Sequence, residues 1–288
     1  MNVHLVAFLV LLAQPTPGGD DWLPLIQAGD YIAAKTKCEA RLGAMDARTR
    51  AEAHKCLANV EAGLAFREAD EERVDGKAVT DVRLGGLRRA AKHLDEAVAL
   101  APEDMSIHQG RLHVLRLAGL LPEMVKALED SIRIHPTRDW LPTWKAYPGE
   151  FYTARGFEQA VLLYRVLDRH FPDDHTIISN MGAALTMLQR DAEALDCFQR
   201  AVVLAPDDPV DNWNLARLKD YMGKTDEADA AYAHALELEP NASVRNRNSC
   251  VYADFIEKKK GDRKRACEVR KAAACGGIEG CHSTPVSK

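Results

Sequence analysis

The residues of this sequence most suited to chemistry are cysteines near its C-terminal end. Cys267, Cys275 and Cys281 are followed at once by His282. Three sulfurs and an imidazole are the ligand types that zinc prefers, so a C-terminal zinc-binding or catalytic module is one interpretation of this segment. The direct adjacency of Cys281 and His282 argues against it, because neighbouring residues chelate one ion awkwardly. We therefore predict no metal site and no cofactor, and keep the zinc module as an alternative.

Disulfide bonds are the simpler expectation for most of the seven cysteines if the chain is secreted. Neighbouring positions favour the pairs Cys38–Cys56, Cys250–Cys267 and Cys275–Cys281, although sequence does not fix the connectivity. Cys197 remains as a free thiol on a helix, where cysteine is a common small buried residue.

The sequence shows no catalytic motif. It contains no glycine-rich phosphate loop, no HExxH motif and no GxSxG motif. His108 and His113 are five residues apart, whereas a spacing of three or four would place both on one helical face. We expect no catalytic residue and no enzymatic activity.

The composition predicts which elements position these residues. The chain has 43 Ala and 31 Leu among its 288 residues, and both types suit helices better than strands. The net charge of −5 argues against nucleic-acid binding, which requires a basic surface. An all-α protein that does not bind nucleic acid is expected.

The N-terminal segment predicts export. Residues 5–13 form an apolar run that is followed by a turn-rich stretch at 14–19, and the run is too short to span a bilayer. A signal peptide over 1–19 fits this arrangement and implies an extracytoplasmic location, periplasmic or secreted. No Lys or Arg precedes the run, so an uncleaved N-terminal helix on a cytoplasmic protein is the alternative.

Prolines recur at a nearly fixed period, which indicates a stacked repeat architecture. The intervals between Pro102, Pro136, Pro172, Pro206 and Pro240 are 34, 36, 34 and 34 along the sequence. Positions twelve, eight and five residues before each proline lie on one helical face, and we predict that this face is buried and that the proline ends the helix. The fifteen residues are Ala90, Leu94, Ala97, Met124, Leu128, Ser131, Ala160, Tyr164, Leu167, Ala194, Phe198, Ala201, Ala228, Tyr232 and Ala235.

This pattern resembles the tetratricopeptide repeat (TPR), a helix-turn-helix unit with a period of about 34 residues. The best match is the unit at 175–208, with Met181, Gly182, Phe198 and Pro206 in register, and the unit at 209–242 matches nearly as well. The resemblance implies an all-α, right-handed superhelical solenoid of helix pairs with a Cys-rich helical C-terminal cap.

The resemblance also implies an organisation along the chain. Degenerate N-terminal TPR-like helices at 20–104 carry a charged insertion near 70–84, the TPR array follows at 105–240, and a basic, Cys-rich cap and tail occupy 241–288. Pro142 and Pro148 fall in a first helix of the array, which we expect to be kinked or shortened.

In TPR proteins the first helix of each pair lines a concave groove that commonly holds an extended peptide or a partner helix. Asn180 and Asn214 lie one repeat period apart on successive first helices, and an amide can both donate to and accept from a ligand backbone. A local structural hydrogen bond is the alternative for both. The resemblance places further residues on this face, namely Trp213, Arg217, Tyr221, Tyr152 and Thr186. For Trp213, a core position is the alternative.

The C-terminal cap is basic, with ten Lys or Arg against four Asp or Glu at 244–271. A solvated capping helix explains this charge, and contact with a membrane or an anionic polymer is the alternative. Together these observations predict a non-catalytic scaffold that binds a protein or peptide ligand in its groove, in an envelope or secretory context. A cytoplasmic TPR adaptor with an uncleaved N-terminus is the alternative.

Overall fold

The structure is a computed structural model that describes residues 22–71 and 76–275, and every regular element in these ranges is helical. The predicted all-α fold is confirmed. The predicted signal peptide at 1–19, Cys281 and His282 lie outside the described residues. No helix in the described part of the chain is both long enough and apolar enough to cross a membrane.

The chain divides into two compact units, at 1–141 and 142–288. The helices described in the first unit are α1 (Leu23–Gln27), α2 (Tyr31–Ala40), α3 (Ala47–Glu71), α4 (Gly76–Leu100), α5 (Met105–Leu117) and α6 (Leu121–Ile134). α3 and α4 pack extensively against each other. Most of the predicted insertion near 70–84 belongs to these two helices, which are therefore longer than the sequence predicts.

The second unit is also built from helix pairs. Its helices are α7 (Leu141–Thr153), which begins at the unit boundary, α8 (Phe157–His170), α9 (His175–Met187), α10 (Asp191–Leu204), α11 (Pro209–Tyr221), α12 (Thr225–Leu238), α13 (Ala242–Phe255) and α14 (Arg263–Ala272). A π-helical segment, Ile256–Lys260, extends α13. In this unit, α7, α9, α11 and α13 are the first helices of their pairs.

The recurring prolines end helices as predicted. α4, α6, α8, α10 and α12 each end two residues before their proline. The residue before a proline is disfavoured in the α conformation, and His135, Phe171 and Ala205 all have non-helical backbone angles there.

The predicted buried face is also confirmed. All fifteen residues at the three positions before the prolines are buried, and none is more than 3% exposed. Close approach of the paired helices explains the small residues among them. A Cβ atom on Gly182 in α9 would lie 2.9 Å from Cε1 of Phe198 in α10, so only glycine fits without a shift.

The turns between paired helices share a left-handed residue. Gly119, Arg155, Gln189 and Gly223 all have positive φ and follow the spacing of the prolines. Glycine adopts this conformation without strain, whereas Arg155 and Gln189 adopt it at a cost.

The proline-containing first helix was expected to be kinked or shortened, and of these two alternatives the shortening is wrong. Pro142 lies in the first turn of α7, where its missing N–H is not needed, and Pro148 lies inside the helix. α7 has 13 residues, the same length as α9 and α11. Packing within the unit thus outweighs the hydrogen bond lost at Pro148.

Candidate functional site

The first helices of the second unit start at side chains that cap them. Asp174, Asp208 and Asn241 precede α9, α11 and α13, and each accepts hydrogen bonds from backbone N–H groups of the first turn. These caps satisfy donors that would otherwise lack partners and fix where each first helix begins.

Polar contacts join α9 to α11 along their lengths. His175 Nδ1 lies 2.6 Å from Asp211 Oδ2, and one turn further along, Asn214 Nδ2 donates to Ser179 Oγ at 3.4 Å. The two helices are therefore neighbours, and their solvent-exposed faces adjoin.

Related residues occupy the same repeat positions on these faces. Asn180 and Met187 on α9 are exposed. Asn214 and Tyr221 stand one repeat period after them on α11, with Arg217 between, and these three share one helical face by their spacing of three and four. Tyr221 is 62% exposed, so it does not contribute to the core. We call these five residues the stripe.

The two asparagines differ in their surroundings. Asn180 is exposed, whereas Asn214 is half-buried and makes the long hydrogen bond to Ser179. At 3.4 Å this bond is weak, so the amide of Asn214 can exchange it for a shorter one to a ligand backbone.

Trp213 packs toward the interior. It is half-buried, its ring lies 4.9 Å from the ring of Tyr232, and it adjoins the buried cluster that includes Tyr252 and Phe255. The core interpretation of Trp213 is thus the one that its contacts favour. Trp213 therefore contributes to the packing of α11 against α12.

Tyr152 and Thr186 make local contacts. Tyr152 is half-buried with its ring edge-on to Phe157 at 5.3 Å, and Thr186 Oγ1 donates to the Gly182 carbonyl within α9 at 2.9 Å. Neither side chain belongs to the stripe.

The sequence reasoning missed one residue in the asparagine series. Asn248 lies on α13, one repeat period after Asn214, and is half-buried, with the 47% exposed Val251 one turn further along. The repeat period alone would have predicted it, if the period had been carried into the C-terminal helix pair.

The basic side chains of the C-terminal cap are largely ion-paired. Six of the ten Lys and Arg at 244–271 lie within 4.0 Å of an Asp or Glu oxygen: Lys258, Lys259, Lys260, Arg263, Arg265 and Arg270. Burial raises the pKa of Asp229, but hydrogen bonds from Arg265 and Tyr252 outweigh it and hold that pKa below its usual value. Lys260 and Arg265 tie the cap to α12 and Lys259 ties it to α11, whereas the other three pairs lie within the cap. All six pairs use charges that a membrane contact would need.

Sequence comparison agrees with this geometry. Tetratricopeptide-repeat family models match residues 150–209 and 212–242. The chain is a tetratricopeptide-repeat protein. No curated protein sequence matches it.

Solved structures of other TPR proteins are similar to this TPR protein at low sequence identity. The C-terminal part of a TPR repeat-containing protein from Cytophaga hutchinsonii is 14% identical, with 82% of this chain and 95% of that chain covered and a TM-score of 0.48. TTC0263 from Thermus thermophilus is 20% identical, with coverages of 67% and 97% and a TM-score of 0.39. Pseudomonas aeruginosa PilF is 13% identical, with coverages of 75% and 92% and a TM-score of 0.40.

Most cysteines in the described part of the TPR protein form disulfides, but two of the three predicted pairs are wrong. Cys38 is bonded to Cys56, but Cys250 is bonded to Cys275, so the predicted pairs Cys250–Cys267 and Cys275–Cys281 are wrong. Cys267 is also disulfide-bonded, and Cys197 is free and buried.

The helix geometry of the cap explains the correction. Because the π-helical segment carries the first arm of the cap to Lys260, the hairpin turns at Gly261, which has a left-handed backbone. Cys250 lies as many residues before Gly261 as Ala272 lies after it, so the two residues are level in the hairpin. Along the sequence, Ala272 is closer to Cys275 than to Cys267. A left-handed residue at Ala274 turns Cys275 back toward α13.

Burial raises the pKa of the Cys197 thiol to about 11, which keeps it protonated and unreactive near neutral pH. Because Cys267 and Cys275 are oxidised, neither offers a thiolate to zinc. The disulfides thus remove two ligands that the alternative C-terminal zinc module requires.

Proposed function

We propose that this TPR protein is a non-catalytic scaffold whose stripe binds an extended segment of a partner protein. The observation that carries the proposal is the recurrence, at one repeat spacing, of an asparagine and of an exposed large apolar residue. Asn180 and Met187 recur as Asn214 and Tyr221, on helices that lie side by side. Packing of the helices does not explain why the apolar side chains Met187 and Tyr221 are exposed to solvent.

The stripe offers three kinds of contact to an extended chain. The amides of Asn180 and Asn214 can hydrogen-bond its backbone whatever its sequence. Tyr221 and Met187 present apolar surface, and Arg217 presents an exposed guanidinium that favours a carboxylate. The proposed ligand is therefore an extended peptide with an apolar residue near an acidic one.

We propose in addition that the protein works outside the cytoplasm. The Cys38–Cys56 and Cys250–Cys275 bonds support this location, because disulfides persist in oxidising compartments and are rare in the cytosol. An intact mass of the protein from its own cells, with a count of free thiols, separates this from the cytoplasmic alternative. A processed N-terminus and a single free thiol are expected, and a full-length, fully reduced chain would overturn the location.

Selection from a library of random linear peptides tests the binding proposal. Wild-type protein should enrich peptides that a triple variant, Asn180→Ala, Asn214→Ala and Arg217→Ala, does not retain. Trp213 stays unchanged because its loss would disturb packing. Gln199→Ala with Glu237→Ala is the matched control, since both residues are exposed on second helices. The proposal would be wrong if the wild type and the triple variant enriched the same peptides equally while the helical content of the variant was preserved.

A further inference from the structure

Three potential metal ligands meet where α9 and α11 begin. His175 is the first residue of α9, Asp208 caps α11 and Asp211 lies in the first turn of α11. One ligand atom from each of the three lies within 4.8 Å of the other two. His175 Nδ1 and Asp211 Oδ2 are already in contact at 2.6 Å.

Apart from the imidazole of His175, no basic side chain in the described ranges pairs with the two carboxylates. The Asp211 side chain is 3% exposed, yet its hydrogen-bonding partner among the described side chains is His175. Asp208 accepts two backbone N–H groups through Oδ1, which leaves Oδ2 available. Neither carboxylate is ion-paired with a Lys or Arg of the described ranges. A buried carboxylate is costly unless a positive charge accompanies it.

At the interface between α7 and α9 in the same unit, a lysine pairs with the capping carboxylate. There, Lys145 of α7 places Nζ 3.5 Å from Oδ2 of Asp174, the cap of α9, and 2.7 Å from Thr176 Oγ1. Ser179 stands one repeat period after Lys145 and carries no charge. The α9–α11 interface therefore has an additional carboxylate, Asp211, and no lysine at the position equivalent to Lys145.

We propose that His175, Asp208 and Asp211 bind a divalent zinc-class cation that joins α9 to α11. One imidazole nitrogen and two carboxylate oxygens form a donor set that zinc accepts, and water can complete the shell because His175 is 31% exposed. Donor atoms about 2.1 Å from a tetrahedral ion lie about 3.4 Å apart. When the ion binds, the 2.6 Å contact must therefore open, and any pair of ligand atoms farther apart than this, up to the 4.8 Å limit, must close.

The cation would neutralise both carboxylates and fasten two neighbouring repeats. Asn180 and Asn214 follow these ligands on the same two helices, so the cation would also fix the spacing of the two asparagines of the stripe. The inference does not depend on peptide binding, because the ligands and their charges stand whether or not the stripe has a partner.

Zinc chloride titrated into tag-free, full-length protein tests the proposal, with calorimetry and thermal unfolding as readouts. We expect one zinc per chain at this site and a melting temperature that rises with zinc and returns with chelator. At free zinc a hundredfold above Kd, the folded state gains about a hundredfold in the folding equilibrium.

Variants at the ligands locate the site. Asp211→Asn and His175→Gln should each weaken zinc binding at least about 10-fold. His175→Gln keeps a donor for Asp211, so its fold is preserved even if Asp211→Asn unfolds. Asp207→Asn is the matched control, because it removes the same charge from an exposed neighbour and should bind zinc as the wild type does.

Two results would overturn the proposal. One is wild-type protein whose melting temperature does not respond to zinc. The other is zinc binding that survives unchanged in His175→Gln, which would place the ion elsewhere in the chain. Peptide selection repeated with chelator tests peptide binding by the stripe without zinc. A failure of the zinc proposal can therefore be distinguished from a failure of the peptide-binding proposal.

Discussion

Removal of the Cys250–Cys275 bond, by the double substitution Cys250→Ser and Cys275→Ser, is expected to loosen the C-terminal helix pair selectively. The bond joins residues separated by 25 positions. The loop-closure entropy of a loop of that length corresponds to about 3.5 kcal/mol near room temperature, and this is an upper estimate because many disulfides deliver less. Substituting both cysteines leaves no thiol at either position that could exchange with the Cys267 disulfide.

Hydrogen exchange of backbone amides, followed by mass spectrometry, measures the effect locally. A loss of about 3.5 kcal/mol corresponds to exchange up to about 300-fold faster in α13 and α14. α9 and α10 should change little, since apolar packing of their own repeats holds them. The cap should lose the most protection next to Tyr252 and Ile256, which pack against Tyr232.

Two controls separate the disulfide from the cysteine side chains. Cys197→Ala removes a buried free thiol and should leave exchange in α13 and α14 as in the wild type. Reducing agent, which also opens the Cys267 disulfide, should bring the wild-type cap to exchange rates at least as fast as those of the double variant. Unchanged exchange in the double variant would refute the reasoning that this bond holds the cap.

Three further predictions address the turns, the helix contacts and pH. Gln189→Gly relieves a φ of 59° and should stabilise the protein by about 1 kcal/mol in thermal unfolding; an unchanged or lower melting temperature would contradict the strain. Gly182→Ala places a Cβ atom against Phe198 and should cost about 1–3 kcal/mol in urea unfolding, whereas Gly149→Ala, with no atom within 4 Å, should cost nothing. Burial, with a neighbouring arginine, lowers the pKa of His113 to about 4, so the unfolded chain binds the proton first as the pH falls. The resulting contribution of His113 to the free energy of unfolding is present above about pH 6.5 and is lost as the pH falls from there to about 4. Urea unfolding across this range should show a smaller loss of stability in His113→Asn than in the wild type.

Helix ends and the buried face followed from the sequence because both depend on local rules. Pro172 and Pro206 disfavour helical angles at the residue before them wherever they occur. Ala194 and Phe198 share a face because the helical period fixes it. These constraints act within one repeat, so no knowledge of its neighbours was needed.

Features that depend on neighbouring elements were predicted less well. The Cys250 partner depends on a π-helical extension that composition does not signal. Trp213 was expected to be either in the groove or in the core, and its contact with Tyr232, which favours the core, depends on a neighbouring helix. His175 and Asp211 are 36 residues apart, which falls outside the repeat period, so only the packing of α9 on α11 brings them together.

The affinity of a selected peptide for the stripe tests the central claim most directly. Isothermal titration calorimetry would compare the wild type, the Asn180→Ala, Asn214→Ala and Arg217→Ala triple variant, and the Gln199→Ala and Glu237→Ala control. Loss of two backbone hydrogen bonds and one charged contact predicts binding about 100-fold weaker for the triple variant and unchanged for the control. Equal affinities for all three proteins would contradict the account.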